Sequence, residues 1–175
     1  MREAKLHFES DAEIETYVAA CEARFACQLE AAGRYAVEHG QDILTLCGPT
    51  CSGKTTAAAL LSKTFANMGR RLHVISIDNF YYSREYLRLR SLRHGTDIDY
   101  DSPDTIDIDC FASAVRAIAG RGRVELPVYD FKEGRRVSAL QIECTAEDAF
   151  LFEGIQAVYP ALTKYLAPHG CCSLF

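Results

Sequence analysis

The sequence predicts an α/β fold in which a parallel sheet is covered by helices. Three observations predict it. Short apolar runs at residues 43–47, 72–77 and 149–152 have the length and continuity of strands buried on both faces. Segments with helical spacing separate them, the alternation that builds parallel sheets. A glycine-rich turn follows the first run at once, and Asp78 and Glu153 close the other two. Ligands of such sheets bind beyond the carboxyl ends of the strands, so these polar residues locate the site.

The chain has 175 residues, with 19 Lys and Arg against 24 Asp and Glu and a formal charge of −5. That length suits one domain with a substantial core. The mild acidity argues against a general nucleic-acid binder, which would carry a basic excess. No run approaches the roughly 18 apolar residues of a membrane span. Met1-Arg2-Glu3-Ala4-Lys5 leads into no apolar signal region, so a cytoplasmic protein without a membrane partner is expected. The eight cysteines form no C-x-x-C pair and no Cys/His cluster at zinc spacing. They read as structural thiols of a reducing compartment, most of them small hydrophobes in apolar segments.

Ser10 and Glu13 have capping-box spacing ahead of an apolar stripe at Ile14, Tyr17, Val18, Cys21 and Phe25. The pattern runs through Leu29 and Val37 to a stop at Gly40, which predicts a long helix softened at Gly33. Its stripe allows packing on the core or on a second subunit of a homo-oligomer. After the first strand, residues 54–68 are helical by their alanines and leucines, and Gly69 ends them. Residues 79–105 break the pattern and read as loop with one short helix. Residues 109–119 are helical, and 124–131 with 135–144 alternate as a hairpin around Lys132-Glu133-Gly134. After the strand at 149–152 come a short helix at 161–166 and a last strand at 171–175.

Gly48-Pro49-Thr50-Cys51-Ser52-Gly53-Lys54-Thr55 fits G-x-x-x-x-G-K-[ST] without a mismatch. Glycines let the backbone wrap a phosphate with its N–H groups inward, and the following helix adds its positive end. Lys54 would reach the β- and γ-phosphates and the Thr55 hydroxyl would hold Mg²⁺. Chance matches arise in a chain of this length on the order of once in a hundred. The fold class sharpens to a P-loop NTPase, with ATP and Mg²⁺ as expected cofactors. Cys51 lies inside the loop, where the positive field favours a thiolate. It reads as a tolerated small residue or an oxidation site.

Glu153 ends an apolar strand, where a P-loop sheet commonly offers an acid to the metal. Asp78 is a candidate base for a substrate hydroxyl or a turn cap. Phe80, Tyr81, Tyr82, Tyr100, Tyr129 and Phe131 form either pocket walls or a satellite core under the hairpin. Asp97, Asp99, Asp101, Asp104, Asp107 and Asp109 lack the calcium-loop pattern and read as solvated or capping. Arg84, Arg88, Arg90 and Arg93 read as a solvated stretch or a grip for a phosphorylated substrate.

Five blocks in order resemble the uridine kinase and phosphoribulokinase group of P-loop kinases. They are residues 48–56, Ile77-Asp78-Asn79-Phe80-Tyr81, Tyr100-Asp101-Ser102-Pro103-Asp104-Thr105-Ile106-Asp107, Pro127-Val128-Tyr129-Asp130-Phe131 and Leu151-Phe152-Glu153-Gly154-Ile155. The likeness spans residues 42–162 and is nearest to uridine kinase-like proteins of bacteria. It implies a phosphotransferase that uses ATP and Mg²⁺ on a nucleoside-like small molecule. Loop residues 48–56, including Thr50 and Thr56, would bind the nucleotide, with Lys54 also assisting catalysis. Asp78 would be the base for the nucleoside 5′-hydroxyl, Tyr81 would line the pocket and Asp101 would hold the ribose hydroxyls. Tyr129 and Phe131 would flank the base, and Glu153 would act with Thr55 at Mg²⁺.

Two departures stand out. Pyrimidine nucleoside kinases carry a histidine after the Tyr-Asp-Phe element, whereas Phe131 here precedes Lys132-Glu133-Gly134-Arg135-Arg136. The family continues into an Arg-rich lid, and this chain stops at Phe175 before it. The expected organisation is an N-terminal helical extension over residues 1–40 and a kinase core over 41–175 lacking that lid. A kinase of a pentose phosphate or other ribosyl compound, and a non-catalytic ATP-binding module, stand as alternatives.

Overall fold

The computed structural model describes residues 8–49 and 51–174. Thr50 of the phosphate loop and Phe175 of the last strand therefore lie outside the described residues. Four strands, β1 (Ile43–Leu46), β2 (Arg71–Ser76), β5 (Asp148–Glu153) and β6 (Cys172–Leu174), form a parallel sheet in the order β2-β5-β1-β6. β3 (Arg123–Asp130) and β4 (Arg135–Glu143) form a separate antiparallel hairpin with a register shift between Val128 and Tyr129. The helices are α1 (Asp11–Glu38), α2 (Lys54–Asn67), α3 (Arg84–His94), α4 (Ile108–Ala119) and α5 (Pro160–Leu166). No helix among the described residues is long and apolar enough to cross a membrane.

The period-two geometry of a strand sends alternate side chains to opposite faces. In β5, Ala149 and Leu151 face one layer and Phe150 and Phe152 the other. The first layer joins Leu44 and Leu46 to Ala57, Leu61 and Phe65 of α2 and to Leu29 and Ala36 of α1. The second packs Ile43 and Ile75 against Phe111, Val115 and Ile118 of α4, Leu162 of α5 and the hairpin residues Val124, Leu126 and Tyr129. β5 is buried along its whole length except at Glu153, which is why its sequence reads as an unbroken apolar run.

Three expectations change. α1 is one uninterrupted helix, and Gly33 is a contact point: a Cβ there would stand 3.0 Å from Cγ2 of Thr64 on α2. Only Leu29, Gly33 and Ala36 of α1 are buried, while Ile14, Tyr17, Val18 and Phe25 of the predicted stripe remain exposed. Cys21 and Cys27 are exposed with them, whereas burial of Cys110 and Cys144 pushes those thiols up. Residues 79–105 also hold more helix than expected. Ser83 caps α3 by accepting the Tyr86 N–H at 3.2 Å, and Gly95 ends it in the left-handed region at φ 64°. Leu87 is its single buried side chain, so the segment shows no apolar period.

The lower end of β5 carries a buried carboxylate. Asp148, 3% exposed, takes hydrogen bonds from the Thr145 N–H and hydroxyl, both at 2.8 Å. Its other oxygen meets His73 Nε2 at 2.7 Å and Arg71 Nε at 3.1 Å. Burial pushes this carboxyl up, but the His73 and Thr145 hydrogen bonds and the Arg71 charge outweigh it and hold the group at about 2, against an ordinary 3.8. A depressed carboxyl contributes stability that is full above pH 3.8 and is lost as pH falls through 2. Asp148→Asn is expected to lower stability by about 2 kcal/mol at neutral pH. Denaturant titrations between pH 4 and pH 2 should show the variant losing less stability than the wild type over that window.

Candidate active site

The loop between β1 and α2 is built around backbone that only certain residues adopt. Gly53 precedes the helix at φ 85°, the left-handed conformation that costs glycine nothing. Cys51 also has a positive φ, 62°, and is exposed. At Gly48 a Cβ would lie 2.5 Å from Ser52 Oγ, so a larger residue there displaces the Ser52 side chain. The Ser52 N–H donates to the Pro49 carbonyl at 3.2 Å, and Lys54 Nζ donates to the carbonyls of Gly48 (2.9 Å) and Pro49 (2.8 Å). The first amides of α2 have no partner within the helix, which makes its N-terminus an anion site.

Sheet order brings the other groups to this loop. β5 lies between β1 and β2, so Glu153 stands in register with Leu46 on one side and Ser76 on the other. Asp78 follows in the 3₁₀ turn Ile77–Phe80. A cavity of about 670 Å³ is lined by Lys54 and Thr55 from the loop side, Asp78, Tyr81 and Asp101 opposite, and Glu153 and Gln156 beneath. Gly48, Pro49 and Cys51 also border it, whereas Ser52 and Gly53 face a neighbouring cavity and Thr56 is exposed on the first turn of α2.

Tyr129 and Phe131 do not line this cavity. Tyr129 meets the Tyr81 ring edge-on at 5.8 Å, and Phe131, 59% exposed, meets Tyr129 at 5.2 Å. Tyr100, Tyr81, Tyr129 and Phe131 form one run of ring contacts from the cavity wall to the surface, whereas Phe80 meets Phe111 in the core and Tyr82 meets Tyr86. The four arginines of α3 stand outside the cavity as well. Arg84 donates to the Phe131 carbonyl at 2.7 Å, and Arg90 donates to the Asp104 carbonyl at 2.7 Å and pairs with its carboxylate.

Gln156 carries a signal that sequence reasoning missed. It is 1% exposed within an apolar stretch. Its Nε2 donates to the Tyr81 hydroxyl at 3.0 Å, and that hydroxyl donates to the Tyr100 carbonyl at 3.0 Å. The amide oxygen has no hydrogen-bond partner among the described residues, and a buried polar atom left so costs stability. Burial, followed by the charge of Asp78, pushes the Tyr81 phenol far above its ordinary value, so it keeps its proton. The chain Gln156–Tyr81–Tyr100 fixes the backbone next to Asp101. One lone glutamine among Ile155, Ala157 and Val158 was the available clue.

Thr55 and Glu153 offer a hydroxyl and a carboxylate to the same cavity. No group of three or more His, Cys, Asp or Glu among the described residues is placed to hold a metal. That donor set suits Mg²⁺, which prefers oxygen and needs only one or two protein ligands beside water and phosphate. A zinc or calcium cage would require more.

The loop geometry makes a direct prediction. Gly48→Ala should displace Ser52 and weaken binding of tripolyphosphate at least tenfold by calorimetry. Circular dichroism should remain that of the wild type, because the added methyl meets only the Ser52 side chain and the Lys54 stem.

The profile of the Phosphoribulokinase / Uridine kinase family matches residues 43–167. The uridine kinase of Schizosaccharomyces pombe is 33% identical over 115 residues, covering 65% of this chain and 24% of that protein. Uridine-cytidine kinase B of Dictyostelium discoideum is 30% identical over 117 residues, covering 67% of this chain and 46% of that protein. The uridine kinase of Lactobacillus helveticus is 28% identical over 117 residues, with 67% and 53% covered. The chain therefore spans between about a quarter and about half the length of these curated relatives. Among solved structures, a protein assigned as a fructose transport system kinase from Silicibacter sp. TM1040 superposes with a TM-score of 0.66 at 21% identity, covering 84% of this chain and 74% of that one. D-glycerate 3-kinase from Cryptococcus neoformans gives 0.57 at 21% identity, with 75% and 52% covered, so the two share the fold. With its profile match running from the first sheet strand through α5, the chain belongs to the phosphoribulokinase / uridine kinase family.

Proposed function

We propose that this protein transfers the γ-phosphoryl group of ATP to a hydroxyl of a nucleoside-like acceptor. The observation that carries the proposal is the single cavity shared by the phosphate loop, Asp78 and Asp101. Uridine and uridine-cytidine kinases among the relatives support a nucleoside as the acceptor class. The α3 arginines, two of them engaged elsewhere and none on the cavity, give a sugar phosphate no grip there.

In this reading the acceptor lies against Tyr81, with vicinal hydroxyls donating to Asp101, whose two oxygens accept both. Asp78 accepts the proton of the attacking hydroxyl as its oxygen bonds to the γ-phosphorus. The bond from that phosphorus to the bridging oxygen breaks, and ADP leaves with the electron pair. Lys54 exchanges the loop carbonyls for phosphate oxygens and neutralises their growing charge. Thr55 and Glu153 would hold Mg²⁺, which supplies electrostatic stabilisation of the phosphates. Tyr129 backs Tyr81 from the core and Phe131 packs on Tyr129 at the surface, so the two support the wall and do not meet the acceptor.

A panel of nucleosides and pentose phosphates, each with ATP and Mg²⁺, tests the proposal through ADP release. Phosphorylation of a nucleoside is expected, and ATP binding with no acceptor turned over would overturn it. Asp78→Asn should lower kcat by roughly 10²–10⁴-fold while the Kd for ATP stays within twofold. A wild-type kcat would remove Asp78 as the base. Gln156→Leu should raise the acceptor KM about tenfold, because the Tyr81 hydroxyl that holds Tyr100 beside Asp101 loses its own partner, and should leave the ATP KM unchanged.

A further inference from the structure

The line of side chains by which α1 sits on the core continues past its own seat. Leu29, Gly33 and Ala36 are buried, and steps of three or four residues carry their line back to Phe25, Glu22, Val18, Glu15 and Asp11. All five of these are exposed. At 1.5 Å per residue this overhang is about 21 Å long. It is acidic as well as apolar, because residues 9–25 hold Glu9, Asp11, Glu13, Glu15 and Glu22 against Arg24 alone. Carboxylates alternating with Val18 and Phe25 are a poor match for an apolar core and a good one for a surface that is apolar and basic.

The outer side of α3 is such a surface. Leu87 points inward, and Tyr86, Leu89 and Leu92 recur every three residues on the opposite side, Leu92 with 70% of its surface exposed. Arg84 and Arg90 are occupied with the Phe131 carbonyl and with Asp104. Arg88 and Arg93 flank Leu89, are exposed and form no ion pair among the described residues. In a protein of net charge −5, this one helix carries four arginines against Glu85.

We propose that the α1 overhang of one copy of this chain docks on the outer face of α3 of a second copy, reciprocally about a two-fold axis. Charge complementarity selects this occupant: Asp11, Glu15 and Glu22 meet Arg88 and Arg93, while Val18 and Phe25 cover Leu89 and Leu92. The apolar contacts hold the pair together and the rim charges set its orientation. Reciprocity doubles the buried area toward the roughly 1,200 Å² that a stable interface needs. An anionic membrane would attract the α3 arginines but repel the α1 acids, and it leaves the overhang uncovered. The family profile begins at residue 43, so the acidic partner in this pairing lies outside the matched region.

Analytical ultracentrifugation of the full chain tests the pairing. The wild type should form a dimer whose Kd rises severalfold between about 0.05 and 0.5 M salt. Arg88→Glu with Arg93→Glu should raise that Kd about tenfold, and so should Glu15→Arg with Glu22→Arg. An equal mixture of the two charge-reversed proteins should recover the wild-type Kd, because each contact then joins opposite charges again. Leu92→Asp should leave a monomer with the circular dichroism of the wild type, since the side chain it replaces is exposed. A wild type that is monomeric at every concentration overturns the proposal. So does a dimer that survives Leu92→Asp, or a mixture that fails to recover. Binding of the wild type as a monomer to phosphatidylserine vesicles, lost in Arg88→Glu with Arg93→Glu, would assign the α3 face to a membrane and overturn it too.

Discussion

The placement of β5 between β1 and β2 is the constraint on which the site depends. Parallel pairing puts Leu46, Glu153 and Ser76 in one row, so the phosphate loop, an acid and the turn bearing Asp78 emerge side by side. A slip of one residue in β5 would exchange its faces, sending Phe150 and Phe152 into the layer built for Ala149 and Leu151. The register is therefore held by core packing on both sides. At the other end, Asp148 ties β5 to Arg71 and His73 of β2. The chemistry at the top of the sheet and the ion pairs at its base share one strand.

Outside the sheet, side-chain hydrogen bonds hold the Asp78 side of the cavity. Asn79 Oδ1 accepts the Tyr129 N–H at 3.1 Å, which links the hairpin to the turn beside Asp78. Arg136 donates to Asp107 at 3.0 Å and to the Phe80 carbonyl at 2.8 Å, joining β4 to the start of α4 and to the same turn. The Tyr81 hydroxyl continues this to Tyr100. These contacts connect segments distant in sequence, so a change in the hairpin is felt at the cavity wall.

The sheet, the phosphate loop and the hairpin were legible because each depends on local pattern: apolar runs, a glycine spacing, strand alternation. α3 was not, because its helix rests on a serine cap, a glycine stop and one buried leucine rather than on an apolar face. The stripe on α1 was visible, but its seat was not. Five residues from Ile14 to Phe25 satisfy helical amphipathicity, yet only Leu29, Gly33 and Ala36, on later turns, are buried. Gly33 looked like a weak point in a helix, and its role as a contact needs Thr64, which sequence distance hides. Gln156 escaped for the same reason, since its meaning lies in Tyr81 and Tyr100, far along the chain.

The resting position of Lys54 has a consequence for ion selectivity. Its ammonium is already doubly hydrogen-bonded to the carbonyls of Gly48 and Pro49. An arriving anion can meet the third N–H directly and engages the ammonium fully by replacing those two bonds. A monatomic anion such as chloride cannot present several oxygens to the lysine and the helix amides at once. A polyphosphate spans both. The loop thus holds its lysine in place before a ligand arrives, and a polyphosphate can take over both lysine bonds while it meets the helix amides.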